Sequence, residues 1–387
     1  MSSKVSRRKV LQGLAAAPIA MRAWVSSAGE KRGEYMLFVG TQTQGGSKGI
    51  YAYRWDAAKG DLELVGLAAE TPYPTFLAMS PDKKYLYAAN EVDEFQGQKG
   101  GGVSSFAVDA KAGKLTAINS VSAKGPGTCH VEVDHTGRAV FCANYSGGSA
   151  ASYHVKADGG LTEAVSFCQY EGHGPKADQE KAHAHRATVT PDNKIVLVND
   201  LGLDCIHIYD LDAATAKLTA HNPAEWKSAP GAGPRALRFH PNGKWAYCVL
   251  ELSSEVAVLQ WDARAGLLTT LQTIGLIPEG YTGKAPHASE IVLDHAGHFA
   301  YASDRFDDVL VSFKVDQSTG KLTKLGSSKY GGLTPRDITL DPTEQWMLVA
   351  NQDSDNISVV KRDVKTGLLA ETGKVFPIVK PQCLVFV

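Results

Sequence analysis

Within the stretch GAGPRALRFHPNGKWAYCVLELSS (residues 231–254), Arg235 stands at the entrance of one apolar-alternating strand and Glu251 at the exit of the next, across a Pro241-Asn242-Gly243 turn. Guanidinium and carboxylate groups are costly to bury without partners. A strand pair carrying both therefore points to an ion pair or to a polar ligand. His185 and Arg305 occupy the same two kinds of position in other stretches of the chain. Imidazole is matched to proton transfer near neutrality, and arginine to stabilising a developing oxyanion or gripping a carboxylate or phosphate. There is no GxSxG elbow, no Cys/His nucleophile signature and no HExxH cluster. The side chains thus suit direct attack by water better than a covalent or metal-centred route, and no cofactor is expected.

These groups need a scaffold to bring them together, and the chain supplies it by repetition. An apolar strand, a turn and a second strand recur as PTFLAMSPDKKYLYAANE, TCHVEVDHTGRAVFCANY, HRATVTPDNKIVLVNDL, RALRFHPNGKWAYCVLE, SEIVLDHAGHFAYASDR and RDITLDPTEQWMLVANQ. Each is followed by an outer hairpin such as VSFKVDQSTGKLTKL. The period of about 50 residues and the four alternating strands per unit are those of propeller blades. Two remnants, PQCLVFV at the C-terminus and the three strands of YMLFVGTQTQGGSKGIYAYRWDAAKGDLELVG, join into a seventh unit. The expected fold is all-β: a seven-bladed β-propeller over residues 34–387, with four-stranded antiparallel blades and the last blade closed by both chain ends.

In such a ring, the entrance of strand one and the exit of strand two meet at one mouth of the central channel. The entrances are Thr75, Cys129, His185, Arg235, Ser289, Arg336 and Gln382, and the exits are Glu91, Tyr145, Leu201, Glu251, Arg305 and Gln352. His185, Glu251, Arg235 and Arg305 are the expected catalytic residues, with His185 or Glu251 as general base. Arg336, Tyr145, Gln352 and Gln382 are the expected substrate contacts. No metal ligands are expected. His183 reads as a supporting or surface residue, His130 should point into its blade, and Asn144, Asp200, Asp304 and Asn351 should cap turns.

The remaining features bound the setting. Forty Lys+Arg against 41 Asp+Glu leave no field to attract nucleic acid or anionic lipid. The segment SRRKVLQGLAAAPIAMRAWVSSA, with Arg7 and Arg8 before a short apolar run, has the layout of a twin-arginine export signal over residues 1–28, cleaved near Ala28. The location expected is the periplasm or another exported site, and cytoplasmic if the signal is not processed. That run is too short to span a bilayer, so the mature chain should carry no membrane span. The six cysteines read as buried free thiols rather than as a Cys129–Cys142 bridge.

At HRATVTPDNK, GAGPRALRFHPNGKWAYCVLELSS, HFAYASDRFDD and TPRDITLDP the chain resembles the seven-bladed propeller lactonases, closest to the propeller-type 6-phosphogluconolactonases, whose relatives include carboxy-cis,cis-muconate cyclases. The resemblance implies hydrolysis of a sugar lactone to the aldonic acid, a small-molecule lactone as partner, and a site of His185, Arg235, Glu251 and Arg305. The family usually has histidine directly after the Pro-Arg of this stretch, where this chain has Ala236. Two other readings stay open: a carboxymuconate-type cycloisomerase, and a non-catalytic binding module presenting an aromatic patch such as Trp55, Trp226 and Trp261.

Overall fold

The chain forms seven four-stranded antiparallel sheets. The computed structural model describes residues 33–387 apart from 279, 283–286 and 306, so the proposed signal lies outside the described residues. Blade 1 is built from both ends of the sequence: Pro381–Phe386 is its innermost strand, followed outward by Glu34–Thr41, Gly49–Asp56 and Asp61–Glu70. The seam pairs Phe38 with Val385 and Val39 with Leu384. Blades 2 to 7 follow in chain order, with inner strands Pro74–Met79, Thr128–Val133, Ala184–Val189, Pro234–Phe239, Ala288–Leu293 and Pro335–Leu340. No described helix is long and apolar enough to cross a membrane.

Alternation along each strand produces the packing. Apolar side chains leave both faces of every blade and fill the wedges between neighbours. Tyr247, Val249, Val256 and Val258 of blade 5 meet Ile291, Ala302, Val311 and Phe313 of blade 6, and each of these is fully buried. Burying one such large side chain contributes roughly 1.5–3 kcal/mol, and every wedge repeats the gain. Where the ends meet, Trp55 and Trp346 pack edge to face at 6.2 Å, and the Trp346 indole donates to the Ala57 carbonyl at 2.8 Å. Gly40 is required at this seam: a Cβ there would lie 2.3 Å from the Pro74 carbonyl oxygen. Trp55, Trp226 and Trp261 are all packing residues, so the aromatic patch of a binding module is not formed by them.

One irregularity recurs in all seven blades and sets up the site. At each inner-strand entrance the register shifts so that one extra residue is accommodated: Pro74 faces Asn90 while Phe76 faces Ala89, and the other six blades do likewise. These β-bulges interrupt the two-residue period and re-aim side chains. Two consecutive residues of one strand can then both face the axis, as Thr75 and Phe76, Cys129 and His130, and His185 and Arg186 do.

Candidate active site at the channel mouth

The strand-one entrances and strand-two exits do converge at one end of the axis. Glu251, at the exit of blade 5, is the hub. Its Oε2 lies 2.8 Å from Arg235 Nε, its Oε1 is held by Arg305 Nη2, and His287 Nδ1 sits 3.5 Å from that same oxygen. Arg235 also donates from Nη1 to the Ser289 carbonyl, tying blade 5 to blade 6. Burial alone would push the Glu251 carboxyl up, but Arg305, the hydrogen bond from His287 and Arg235 together hold it well below the usual carboxylate range. Burial, with the Arg336 and Arg305 cations nearby, lowers the Arg235 guanidinium against the pull of Glu251.

His185 is placed differently. Its ring is buried, stands edge-on to Tyr145 at 5.7 Å, and makes no hydrogen bond among the described residues. Burial, then the Arg235 and Arg336 cations, hold its imidazole well below the usual value, so it is neutral at physiological pH. Tyr145 in turn stacks on His183 at 4.3 Å, and the His183 ring contacts the Tyr145 carbonyl through Nδ1 at 3.1 Å. His183 is therefore a buried support and not a surface residue. Arg336 lines the axis half-buried, with no carboxylate partner among the described residues. Gln382 donates to Gln352 Oε1 at 3.2 Å, which brings the last two expected contacts together.

Sequence reading missed three parts. His130 does not point into its blade: the bulge turns it to the axis, where its Nε2 accepts from Arg186 Nε at 3.0 Å and its ring lies 4.1 Å from Phe76. Arg186 Nη1 donates to both oxygens of Glu290, each at 2.8 Å, making a buried ion pair across the axis just below the mouth. His287, on Glu251, lies outside the expected set. It stands two residues before the entrance Ser289, the offset at which His183 precedes His185, and that shared offset was the available signal. The turn-capping expectation fits Asp200, whose Oδ1 accepts from the backbone of Gly202 and Leu203. All six cysteines are free, with no Cys129–Cys142 bridge. Among the described residues one group on blade 4, Cys205, His207 and Glu225, brings potential metal-ligand atoms within 4.8 Å of one another, and none of the three lines the axial cavity. At the mouth itself the Glu251 carboxylate is already taken by Arg235 and Arg305.

A ring of guanidinium groups ordered by one carboxylate, beside a neutral imidazole, is a site for polarising a carbonyl and moving a proton. The family model for seven-bladed β-propeller lactonases matches residues 36–386, and the chain belongs to that family. It is a lactone-hydrolysing carboxylic-ester hydrolase. Among curated relatives, the 6-phosphogluconolactonase of Bacillus subtilis is 36% identical over 354 residues, covering 91% of this chain and 98% of the relative. That of Formosa agariphila is 32% identical over 339 residues, covering 86% and 94%. Among solved structures, the periplasmic gluconolactonase of Pseudomonas aeruginosa superposes with a TM-score of 0.86 at 33% identity, covering 92% of this chain and 99% of that one.

Proposed function

We propose that the protein opens a sugar lactone to its aldonic acid by direct attack of water, with His185 as the general base. The observation that carries this reading is the contrast between the two candidate bases. Both Glu251 oxygens are occupied by arginines and its carboxyl is held low, whereas the His185 ring is neutral and unpartnered. Glu251 then serves as the clamp that orients Arg235 and Arg305. Each guanidinium has five N–H donors, so pairing with one carboxylate leaves others for the substrate.

As the water oxygen bonds to the carbonyl carbon, His185 takes its proton and the carbonyl electron pair moves onto oxygen, facing Arg235 and Arg305. Collapse of that intermediate breaks the ring C–O bond, and the imidazolium returns its proton to the departing alkoxide. Arg336, half-buried and unpaired, is the group to receive an anionic substituent, and Tyr145 and Gln352 complete the rim. The site of action is taken to be outside the cytoplasm, which the twin arginines at Arg7 and Arg8 and the likeness to a periplasmic gluconolactonase support. An exported enzyme would meet the unphosphorylated ring rather than the phosphorylated one.

The test is turnover of gluconolactone, its 6-phosphate and a carboxymuconate substrate by the purified mature chain, each against the spontaneous rate. Hydrolysis of either lactone that His185→Ala abolishes supports the assignment. Turnover of the muconate alone would replace it with cycloisomerisation, and saturable binding without turnover would make the protein a binding module.

A further inference from the structure

Just inside the mouth the axis holds a cavity of about 20 Å³, large enough for one water, which needs at least ~10–15 Å³. His185, Arg235 and Arg336 line it on the outer side and His130, Arg186 and Glu290 on the inner. Four lining residues, all more than nine-tenths buried, each carry a polar atom with neither a hydrogen-bond nor an ion-pair partner: Thr75 Oγ1, His130 Nδ1, Arg186 Nη2 and Gln382 Oε1. A fifth, Arg235, makes no hydrogen bond from Nε but pairs there with Glu251 Oε2 at 2.8 Å.

Their donor and acceptor roles follow from what else they touch. His130 Nε2 accepts from Arg186, so the neutral ring carries its proton on Nδ1 and donates there. Arg186 Nη2 can only donate. The Gln382 amide nitrogen faces the Pro381 carbonyl at 3.0 Å and Gln352 Oε1 at 3.2 Å, which leaves Oε1 as an acceptor. The Thr75 hydroxyl serves either way. Two donors, one acceptor and one hydroxyl match the two lone pairs and two hydrogens of water. The N–H groups would repel a metal cation, and a space of about 20 Å³ is too small for a carboxylate or phosphate.

We propose that this cavity is the enzyme's water site, holding one molecule against the inner side of His185, and that this molecule is the nucleophile, reaching the lactone carbonyl from the axis while the substrate sits outside the ring. The proposal rests on the lactone-hydrolase reading. At rest the four cavity groups take both lone pairs and both hydrogens. Attack therefore requires one hydrogen to turn from the Thr75 hydroxyl to His185 and one lone pair to leave an N–H donor for the lactone carbonyl. The new C–O bond then comes from this water, its proton goes to His185, and the same proton ends on the leaving alkoxide.

The test uses Thr75→Val and Gln382→Met, singly and together, with Thr75→Ser as the conservative control. Long-lived internal water is counted by magnetic relaxation dispersion, and kcat and KM are measured on the best lactone. The expected result is one fewer long-lived water in the double variant and a kcat lower by about 10²-fold, the scale of a misplaced reactant. KM should stay within about twofold and the Thr75→Ser rate should remain near wild type. A lost water with unchanged kcat would overturn the nucleophile role, and a wild type without any long-lived water here would overturn the site itself. A wild type that hydrolyses no lactone would instead sink the hydrolase reading and the nucleophile role with it, while the relaxation count would still report whether the cavity holds water.

Discussion

The two ends of the propeller axis are built from the same strands and similar residue types, yet they differ in how their charges are answered. At the mouth, His185 has no hydrogen-bond partner and Arg336 no counter-ion among the described residues. At the far end, a larger cavity of about 260 Å³ is walled by Leu77, Val133, Ile338 and Leu384 around Glu132, Arg238 and Asp337. There Arg238 and Asp337 each meet a partner. Arg238 lies 3.6 Å from Glu290, and Asp337 Oδ2 accepts from the Leu384 amide at 2.8 Å. Burial, with Glu290 close by, pushes the Asp337 carboxyl up to about 7. Volume alone would choose the end that the proposed mechanism does not use. Reactive capacity sits where side chains are positioned but uncommitted.

Changing the mouth should have the largest effect. His185→Ala is expected to lower kcat/KM by about 10²–10⁴-fold with little change in stability, measured by steady-state kinetics and denaturant unfolding. Because the folded His185 imidazole titrates well below its usual value, the wild-type rate should stay flat through neutrality and fall only in more acid solution. An acid limb centred on the ordinary histidine value would point to a different base.

The ion pair that separates the two ends comes next. Arg186→Met leaves Glu290 buried without its main partner and should cost about 3–5 kcal/mol in urea unfolding. Arg336→Met should raise KM for an anionic lactone roughly tenfold, the scale of one charge-assisted hydrogen bond, and leave a neutral lactone nearly unaffected.

The far end should respond least in activity. Arg238→Met should keep kcat within about twofold, since nothing there touches the reacting atoms in the proposed mechanism; a larger loss would erase the distinction between the ends. Its signature is in stability instead. Asp337 keeps its proton in the folded state up to about 7 but loses it at an ordinary 3.8 when unfolded. Its contribution is thus fully present below 3.8 and lost as pH rises through about 7. Wild-type stability relative to Asp337→Asn should fall across that window, read by unfolding at several pH values.

The blade count, the seam made from both chain ends and the mouth ring were legible because period-two alternation and repeated turns are local signals. Entrances and exits such as Arg235 and Glu251 followed from topology alone. Alternation misled at the residue after each entrance. Strict alternation sends His130 into the blade, and only the bulge turns it to the axis with Arg186 and Glu290. A trace of this was present: His185-Arg186, Ser289-Glu290 and Arg336-Asp337 are consecutive polar pairs in strands that otherwise alternate. Such doublets are hard to place as a flat half-buried strand. Which base is free was not readable either, since Arg305 and His287, which fill the second Glu251 oxygen, come from the next blade.

The seam has a consequence for when activity can first arise. Gln382, on the strand that completes blade 1, lies 30 residues beyond Gln352, to which it donates, and shares a cavity with Thr75 more than three hundred residues upstream. A nascent or clipped chain lacking Pro381–Phe386 would have six finished blades and His185, Arg235, Glu251 and Arg305 all synthesised, yet no enclosed axis. In the proposed mechanism such a chain would be inactive, because the cavity that Gln382 helps to wall would stand open.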